Sequence, residues 1–323
     1  MSSRMPELSV IVVIPDSYDT VRELIRALSA QTARARMELV IVAPALDAVA
    51  SGIPDLDAFG SWRIVELGVM RSVAHAKLEG IRCATASVVV MTEDHSLPEA
   101  NWAQSLIEAH RDGWAAVGPA MENGNPQSLI SWADFIIAYS QWFNPRAAGE
   151  VDDLPGHNSS YKRDLLLEYK DRLGEMLDAE TVLHQDLREH GHRLYLELAA
   201  KTFHNNFTQP LPWILYLFYS GRIFAAQRTY SWPLMRRVAY SAGAFLIPLV
   251  RLRRILPEIR RSCPDLLPRV LAPLLFALLI DATGQWLGYT FGAGRAAEKL
   301  TRLEFHRNGA SVVAARPAFG ADG

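Results

Sequence analysis

The first grouping with chemical capacity is Thr92-Glu93-Asp94-His95, two adjacent acids and an imidazole directly behind the apolar run Ser87-Val-Val-Val-Met-Thr92. Carboxylate oxygens and an imidazole nitrogen suit a hard or borderline divalent cation, and that cation could neutralise a diphosphate. A solvated loop has the same composition, so the weight of the tetrapeptide depends on its place in the fold. If the preceding run is a strand of an open α/β sheet, these side chains leave the sheet at its carboxyl edge, where such sheets bind ligands.

The surrounding sequence predicts that sheet. Leu8-Ser-Val-Ile-Val-Val-Ile14 is short, β-branched and apolar on both faces, as a central parallel strand should be, and Pro15-Asp16-Ser17 stops it. Asp19 or Thr20 is placed to cap a helix with Val21, Leu24, Ile25 and Leu28 at helical spacing, ending near Gln31-Thr32. Residues 38–43, 62–67 and 87–92 read as further strands and residues 73–84 as a helix. This alternation implies an α/β fold, a Rossmann-like, mostly parallel sheet flanked by helices with right-handed crossovers. A helix over about 101–111 and a strand near 115–118 continue the pattern, with irregular passages around 123–127 and 149–156. A helix then runs from about Asp178 through Leu183 and Leu187, is broken at Gly191, and leads to a strand ending near Ala199.

Half of the 323 residues are hydrophobic and 21% are charged, enough for a large core plus an appendage, and disorder as the main state is excluded. The formal charge of -2 conceals an asymmetry: residues 219–270 carry ten arginines against Glu258 and Asp265, whereas the first 218 residues sum to -11. The expected organisation is an acidic α/β domain over residues 1–209 and a basic, apolar helical tail over 210–323. The tail's apolar runs, 213–226, 238–252 and 270–291, are interrupted by Arg, Pro or Asp. The longest of these runs, 270–291, has 11 uncharged residues, Val270 to Ile280, before Asp281, short of the roughly 18 to 20 a simple span needs. The expectation is helices lying on an anionic membrane surface, apolar faces in the headgroup boundary and arginines on the lipid charge. A buried helical subdomain or a homodimer interface produces the same pattern. Cys83 and Cys263 are too few for a disulfide framework or a thiolate zinc site and fit a reducing compartment. No secretory signal is visible in residues 1–8. The expectation is a peripheral place on the cytoplasmic face of an inner membrane, with no nucleic-acid partner.

Several ordered motifs resemble a family 2 glycosyltransferase of the type A nucleotide-sugar fold: the apolar strand ending in Pro15, the helix ending in Gln31, the second apolar strand, Ala76-Lys77-Leu78-Glu79-Gly80, and Met91-Thr-Glu-Asp-His-Ser-Leu-Pro98. The similarity continues through Pro155-Gly-His-Asn-Ser-Ser-Tyr-Lys-Arg-Asp-Leu165 and from Glu180 to His204, about 200 residues in all. It implies an inverting enzyme that moves a sugar from a nucleotide diphosphate sugar to a lipid-linked or polysaccharide acceptor, with Mg2+ or Mn2+.

By that resemblance, Glu93, Asp94 and His95 stand where the family's Asp-x-Asp element meets ribose and metal. Asp94 is the expected metal ligand and Glu93 the ribose contact, while His95 replaces a carboxylate, which favours Mn2+ or signals a weaker dependence on metal. Lys77 stands where the family often has an arginine that can reach a nucleotide phosphate, and Asp16 is positioned for base or ribose. The second strand ends in Ala43-Pro44-Ala45-Leu46 where the family commonly has Asp-Asp-Gly-Ser, so a usual nucleobase contact is missing. Glu180 occupies the place of the catalytic carboxylate at a helix start, with Asp178 and Asp186 as substitutes. His204 matches a histidine near metal or diphosphate. Gly156-His157-Asn158 is assigned to the acceptor side, the backbone approaching closely and Asn158 supplying amide hydrogen bonds. Tyr161, Lys162 and Arg163 read as a helix start. Trp132, Tyr139 and Trp142 read as a sugar-stacking wall or as core. Two rivals are a noncatalytic membrane scaffold retaining the sheet and a nucleotidyltransferase, for which Pro15-Asp16-Ser17-Tyr18 is poor in Gly and Lys.

Overall fold

The computed structural model describes residues 5–305, which divide into two compact units. The first comprises residues 5–120 and 146–203, the second Met121–Pro145 and the residues from His204 onward. Residues 306–323 of the expected tail, and the first four of the chain, lie outside the described residues.

The first unit is built on β1 (Leu8–Val13), β2 (Met37–Ala43), β3 (Ser61–Glu66) and β4 (Val88–Met91), parallel neighbours in the order β3-β2-β1-β4. Helices α1 (Arg22–Ser29), α2 (Ile53–Leu56) and α3 (Val73–Cys83) connect them. Both faces of β1 and β2 are buried, which explains their continuous apolar runs. Tyr18, Leu24, Ile25, Leu28, Leu39, Ile41, Trp102 and Leu106 belong to one buried core cluster with them.

Beyond β4 the sheet becomes mixed. The further strands are β5 (Ser96–Pro98), β6 (Ala116–Asn123), β7 (Gly149–Val151), β8 (Ser160–Lys162) and β9 (Leu194–His204), and the order continues β4-β8-β6-β9-β5. β8 is antiparallel to both β4 and β6, and β7 is antiparallel to β9. Two local expectations change. Ser17, not Asp19 or Thr20, supplies the capping oxygen, accepting from the Asp19 amide at 3.3 Å ahead of a short 3-10 turn that precedes α1. Tyr161 and Lys162 lie in β8, and helix starts only at Arg163, because the two strands flanking this segment satisfy its backbone. His110, at the end of α4 (Trp102–Ala109), braces β8 through Nε2 to Ser160 Oγ at 2.9 Å.

The second unit is helical. It contains α5 (Leu129–Tyr139), α9 (Pro210–Arg228), α10 (Leu234–Ala242), α11 (Ile247–Ser262), α12 (Leu267–Phe291) and α13 (Ala296–Phe305), while α6 (Arg163–Leu167), α7 (Arg172–Met176) and α8 (Glu180–Glu189) belong to the first. Ala133, Ile136, Trp213, Leu217, Ile255, Val270 and Leu274 form its core. α9 and α12 cross with their backbones in close approach: a Cβ on Gly284 would meet Phe218 O at 2.1 Å, and one on Gly288 would meet Arg222 O at 2.3 Å. Inside α12, Asp281 accepts from Arg251 Nη1 at 2.6 Å and from Gln285 Nε2 at 2.8 Å, so the charge that interrupts the apolar run is paired within the bundle. Asp134 accepts from Phe207 N and Trp213 Nε1, both at 3.1 Å, and ties α5 to the start of α9.

Trp132, Tyr139 and Trp142 lie in or just after α5. Tyr139 and Trp142 are buried with ring centroids 6.4 Å apart, Trp132 packs edge-on to Phe135 and Phe143, and the group is core packing. By length and composition one helical stretch among the described residues is apolar enough to cross a membrane, Pro264–Phe291, with a mean hydropathy of 1.8 and a third of its most apolar window buried.

Candidate functional site

Because β1 and β4 are adjacent and parallel, the segments leaving them emerge at the same sheet edge, Asp16 after β1 and Thr92-Glu93-Asp94-His95 after β4. The Thr92 amide and hydroxyl both donate to Ile11 O at 3.1 Å, fixing the start of the second segment. Asp94 Oδ1 lies 2.6 Å from His95 Nδ1. A carboxylate only accepts, so Nδ1 carries the proton and, in the neutral ring, Nε2 bears the lone pair. That Nε2 is 3.4 Å from Glu93 Oε2, which accepts from Ser96 Oγ at 3.3 Å.

Glu93 is joined to a second group by His157, whose Nε2 is 3.3 Å from Glu93 Oε1 and whose Nδ1 is 3.2 Å from Glu180 Oε1. Lys77, on α3, donates from Nζ to Glu180 Oε1 at 3.3 Å and lies 3.0 Å from His157 Nδ1. With Nδ1 unprotonated the ring accepts from Lys77 and donates to Glu93. With both nitrogens protonated it pairs with both carboxylates. Lys77, Glu93, Asp94, His95, His157 and Glu180 thus form one connected network within the first unit, drawn from four separate places in the sequence.

Each member is held by its element. Glu180 is the first residue of α8 and buried, 6% exposed, where the helix N-terminus favours its charge. A Cβ on Gly156 would stand 2.9 Å from Glu180 Oε2, so only glycine lets this loop lie against the carboxylate without displacing it. Lys77 is 2% exposed despite its charge, the signature of a paired cation. Asn158 is fully buried at a left-handed φ of 69° and donates its backbone N–H to Met91 O at 2.9 Å, while both side-chain amide atoms have no hydrogen-bond partner among the described residues. Such an unmet buried amide calls for a ligand or water.

Electrostatics separate the two carboxylates at the start of α8. Burial alone would push the Glu180 carboxyl up, but the nearby His157 and Lys77 charges outweigh it and hold the group below its usual range, ionised at neutral pH. Asp178 is pushed up to about 6, first by burial and then by the Glu180 charge. A raised carboxyl makes the folded state hold its proton longer than the unfolded chain. Its cost therefore appears as pH climbs past 3.8 and is complete above about 6. Asp178→Asn should accordingly stabilise the protein by about 3 kcal/mol at pH 7 and by almost nothing below pH 3.5. Thermal melts at the two pH values check this; equal shifts at both contradict it.

The donor atoms at the sheet edge fit a divalent cation. Glu93 and His95 Nε2 supply hard oxygen and borderline nitrogen, and the Asp94 carboxylate on Nδ1 is the arrangement that orients a ligating imidazole. Asp16 is exposed at this same edge. His204 ends β9, belongs to the second unit and is buried; its Nδ1 lies 2.7 Å from Asn206 Oδ1 and its ring packs 4.8 Å from that of Tyr139. Of the substitutes for Glu180, Asp186 accepts from Tyr169 OH at 2.8 Å and Arg172 at 3.3 Å. The sequence reading missed His184, four residues after Glu180 on α8, and its partner Asp153, and took its other partner, Tyr161, for a helix start; the i, i+4 spacing was the available signal.

No protein-family profile matches the chain, and no curated sequence matches it. Solved structures do. The fold is similar to that of the mannosyltransferase PcManGT from Pyrobaculum calidifontis, in complex with GDP-Man and Mn2+, at a TM-score of 0.50 and 17% identity over 88% of each chain. It is also similar to GalNAc-T7 with UDP, GalNAc and Mn2+, at a TM-score of 0.50 and 12% identity. That second match covers 71% of this chain and 52% of the other, so the chain spans about half the length of that relative. At these identities the likeness establishes the fold, a glycosyltransferase type of mixed α/β sheet flanked by helices.

Proposed function

We propose that the protein is an inverting glycosyltransferase that moves a sugar from a nucleotide diphosphate sugar to a lipid-linked or polysaccharide acceptor. The observation that carries the reading is the continuous network Lys77–Glu180–His157–Glu93–His95–Asp94, set at the carboxyl edge of a sheet of glycosyltransferase type. Glu180 takes the proton of the acceptor hydroxyl as its oxygen attacks the anomeric carbon. The bond from that carbon to the diphosphate breaks on the opposite side, and the diphosphate leaves with the electron pair.

Glu93 and His95 would hold a divalent cation, Mn2+ or Mg2+; Asp94, expected from the sequence as the ligand itself, lies on Nδ1 of the imidazole and would orient it, and a bound ion would supply charge neutralisation to the leaving diphosphate. His204 is assigned as a further ligand on its place in the sequence order and the chemistry of its ring. Asp16 contacts base or ribose, and His157 and Asn158 face donor or acceptor, where the buried amide of Asn158 finds its hydrogen bonds. Lys77 pairs with Glu180 and is assigned to a donor phosphate on its place in the sequence order. The ligands of the two similar proteins, GDP-Man in one and UDP in the other, define the first donors to try. Turnover of a panel of UDP- and GDP-sugars with Mn2+, abolished by chelation, is the expected result; no turnover and no binding of any donor would favour the scaffold reading.

The second unit fits an anionic membrane surface on the cytoplasmic face. Tyr230, Leu234, Met235, Phe245 and Leu249 are 65–79% exposed, far beyond what a sealed soluble surface tolerates in one stretch. Arg236 stacks 4.0 Å over the Trp232 ring beside them, an arrangement suited to the headgroup layer. Surface attachment is preferred to a span because α12 is packed among α5, α9, α10 and α11 and carries the Asp281–Arg251 pair. Leu234→Glu/Met235→Glu, two exposed positions whose substitution leaves the core intact, should cut binding to phosphatidylserine vesicles by about tenfold or more. Sedimentation with vesicles checks this, and undiminished binding would remove the surface role of α10.

A further inference from the structure

The 153–161 segment is stitched to α8 at more points than the proposed chemistry uses. Asp153 Oδ1 lies 2.6 Å from His184 Nδ1, Thr181 Oγ1 donates to Asp153 Oδ2 at 3.3 Å, and Tyr161 OH lies 2.7 Å from His184 Nε2. The proton positions follow from the partners. A carboxylate only accepts, so His184 donates from Nδ1; Nε2 must then accept, and Tyr161 donates. Tyr161 keeps its proton because burial pushes the phenol well above its ordinary range. Both rings are fully buried and stack with an interplanar angle of 16°, whereas the Asp153 side chain is 25% exposed. Between these anchors, Gly156 packs on the Glu180 carboxylate and His157 Nδ1 lies 3.2 Å from its Oε1.

A leucine or phenylalanine at 184 could fill the same space without burying two ring nitrogens. A fully satisfied polar relay costs desolvation and returns a single geometry. Glu180 lies one turn before His184 on the same helix, so whatever fixes His184 fixes the direction of the carboxylate.

We propose that Asp153, His184 and Tyr161 form a positioning relay that locks α8 to the 153–161 segment and thereby sets where Glu180 presents its carboxylate to the acceptor; this rests on the assignment of Glu180 as base. None of the three touches a reacting atom.

Asp153→Ala tests the relay, since a partly exposed position tolerates the change. The expected result is a fall in kcat of about 10- to 100-fold, with KM and donor Kd within about twofold of wild type. Asp153→Asn, whose Oδ1 still accepts from Nδ1–H, should recover most of kcat, and Tyr161→Phe should fall between. Hydrogen exchange of the amides of residues 180–189 should quicken in Asp153→Ala and stay native in Asp153→Asn. A kcat for Asp153→Ala within about twofold of wild type, equal losses in the Ala and Asn variants, or a loss confined to KM would overturn the relay. If wild type transfers no sugar, the assignment of Glu180 falls instead and exchange decides: quickening in Ala but not Asn supports the lock, and unchanged exchange refutes it.

Discussion

Glu180→Gln should lower kcat by about 10³-fold while donor affinity stays within about threefold of wild type. The amide keeps the size of the side chain and can still accept from Lys77, so the network around it persists. What is lost is the capacity to take a proton, and no neighbour replaces it. His157 is already committed between Glu180 and Glu93. Steady-state kinetics with one active donor, beside calorimetric donor binding, separate the outcomes. Near-normal turnover would take Glu180 out of the base role, and a collapse of donor binding would make it a binding residue.

The second large effect concerns stability and its pH dependence. Lys77 and Glu180 are 3% and 6% exposed at the side chain, and Lys77→Met leaves a buried carboxylate with His157 as its remaining positive partner. Breaking a buried pair on one side costs about 3 kcal/mol. In wild type the Glu180 carboxyl is held below its ordinary 4.5. Its contribution is therefore fully present above that pH and is lost as pH falls through the lowered folded value. Without Lys77, burial gains weight, the folded carboxyl moves up, and the stability difference from wild type should be largest near pH 7 and shrink below pH 4. Thermal melts across that range check it; a variant as stable as wild type at pH 7 would mean the pair contributes nothing.

The parallel half of the sheet was legible because its strands carry apolar runs on both faces and its helices keep helical spacing, so β1 to β4, α3 and the start of α8 fall where the periodicity puts them. β8 was not, since three residues between two strands carry no periodic signal, and Tyr161-Lys162-Arg163 read equally well as a helix start. α5 escaped because it is apolar around most of its circumference, with Asp134 turned inward to Phe207 and Trp213, partners more than 70 residues away. In the site, sequence order brought Glu93, Asp94, His95 and Glu180 forward as residues able to hold metal or move a proton. It gave no means of seeing that Lys77 meets Glu180 across 103 positions, or that Asp94 sits on the Nδ1 of its own neighbour. Those relations depend on rotamers and on the close approach that Gly156 permits, and neither is written in local composition. Asp153 and His184, ordinary polar residues singly, become notable only as a buried pair.

The most direct test is a crystal structure of Glu180→Gln with an intact nucleotide sugar and Mn2+. The account predicts the ion and the diphosphate against Glu93 and His95, and the anomeric carbon turned toward the side chain at position 180 with room between them for an acceptor hydroxyl. A diphosphate seated away from Glu93 and His95, or a sugar facing away from position 180, would contradict it.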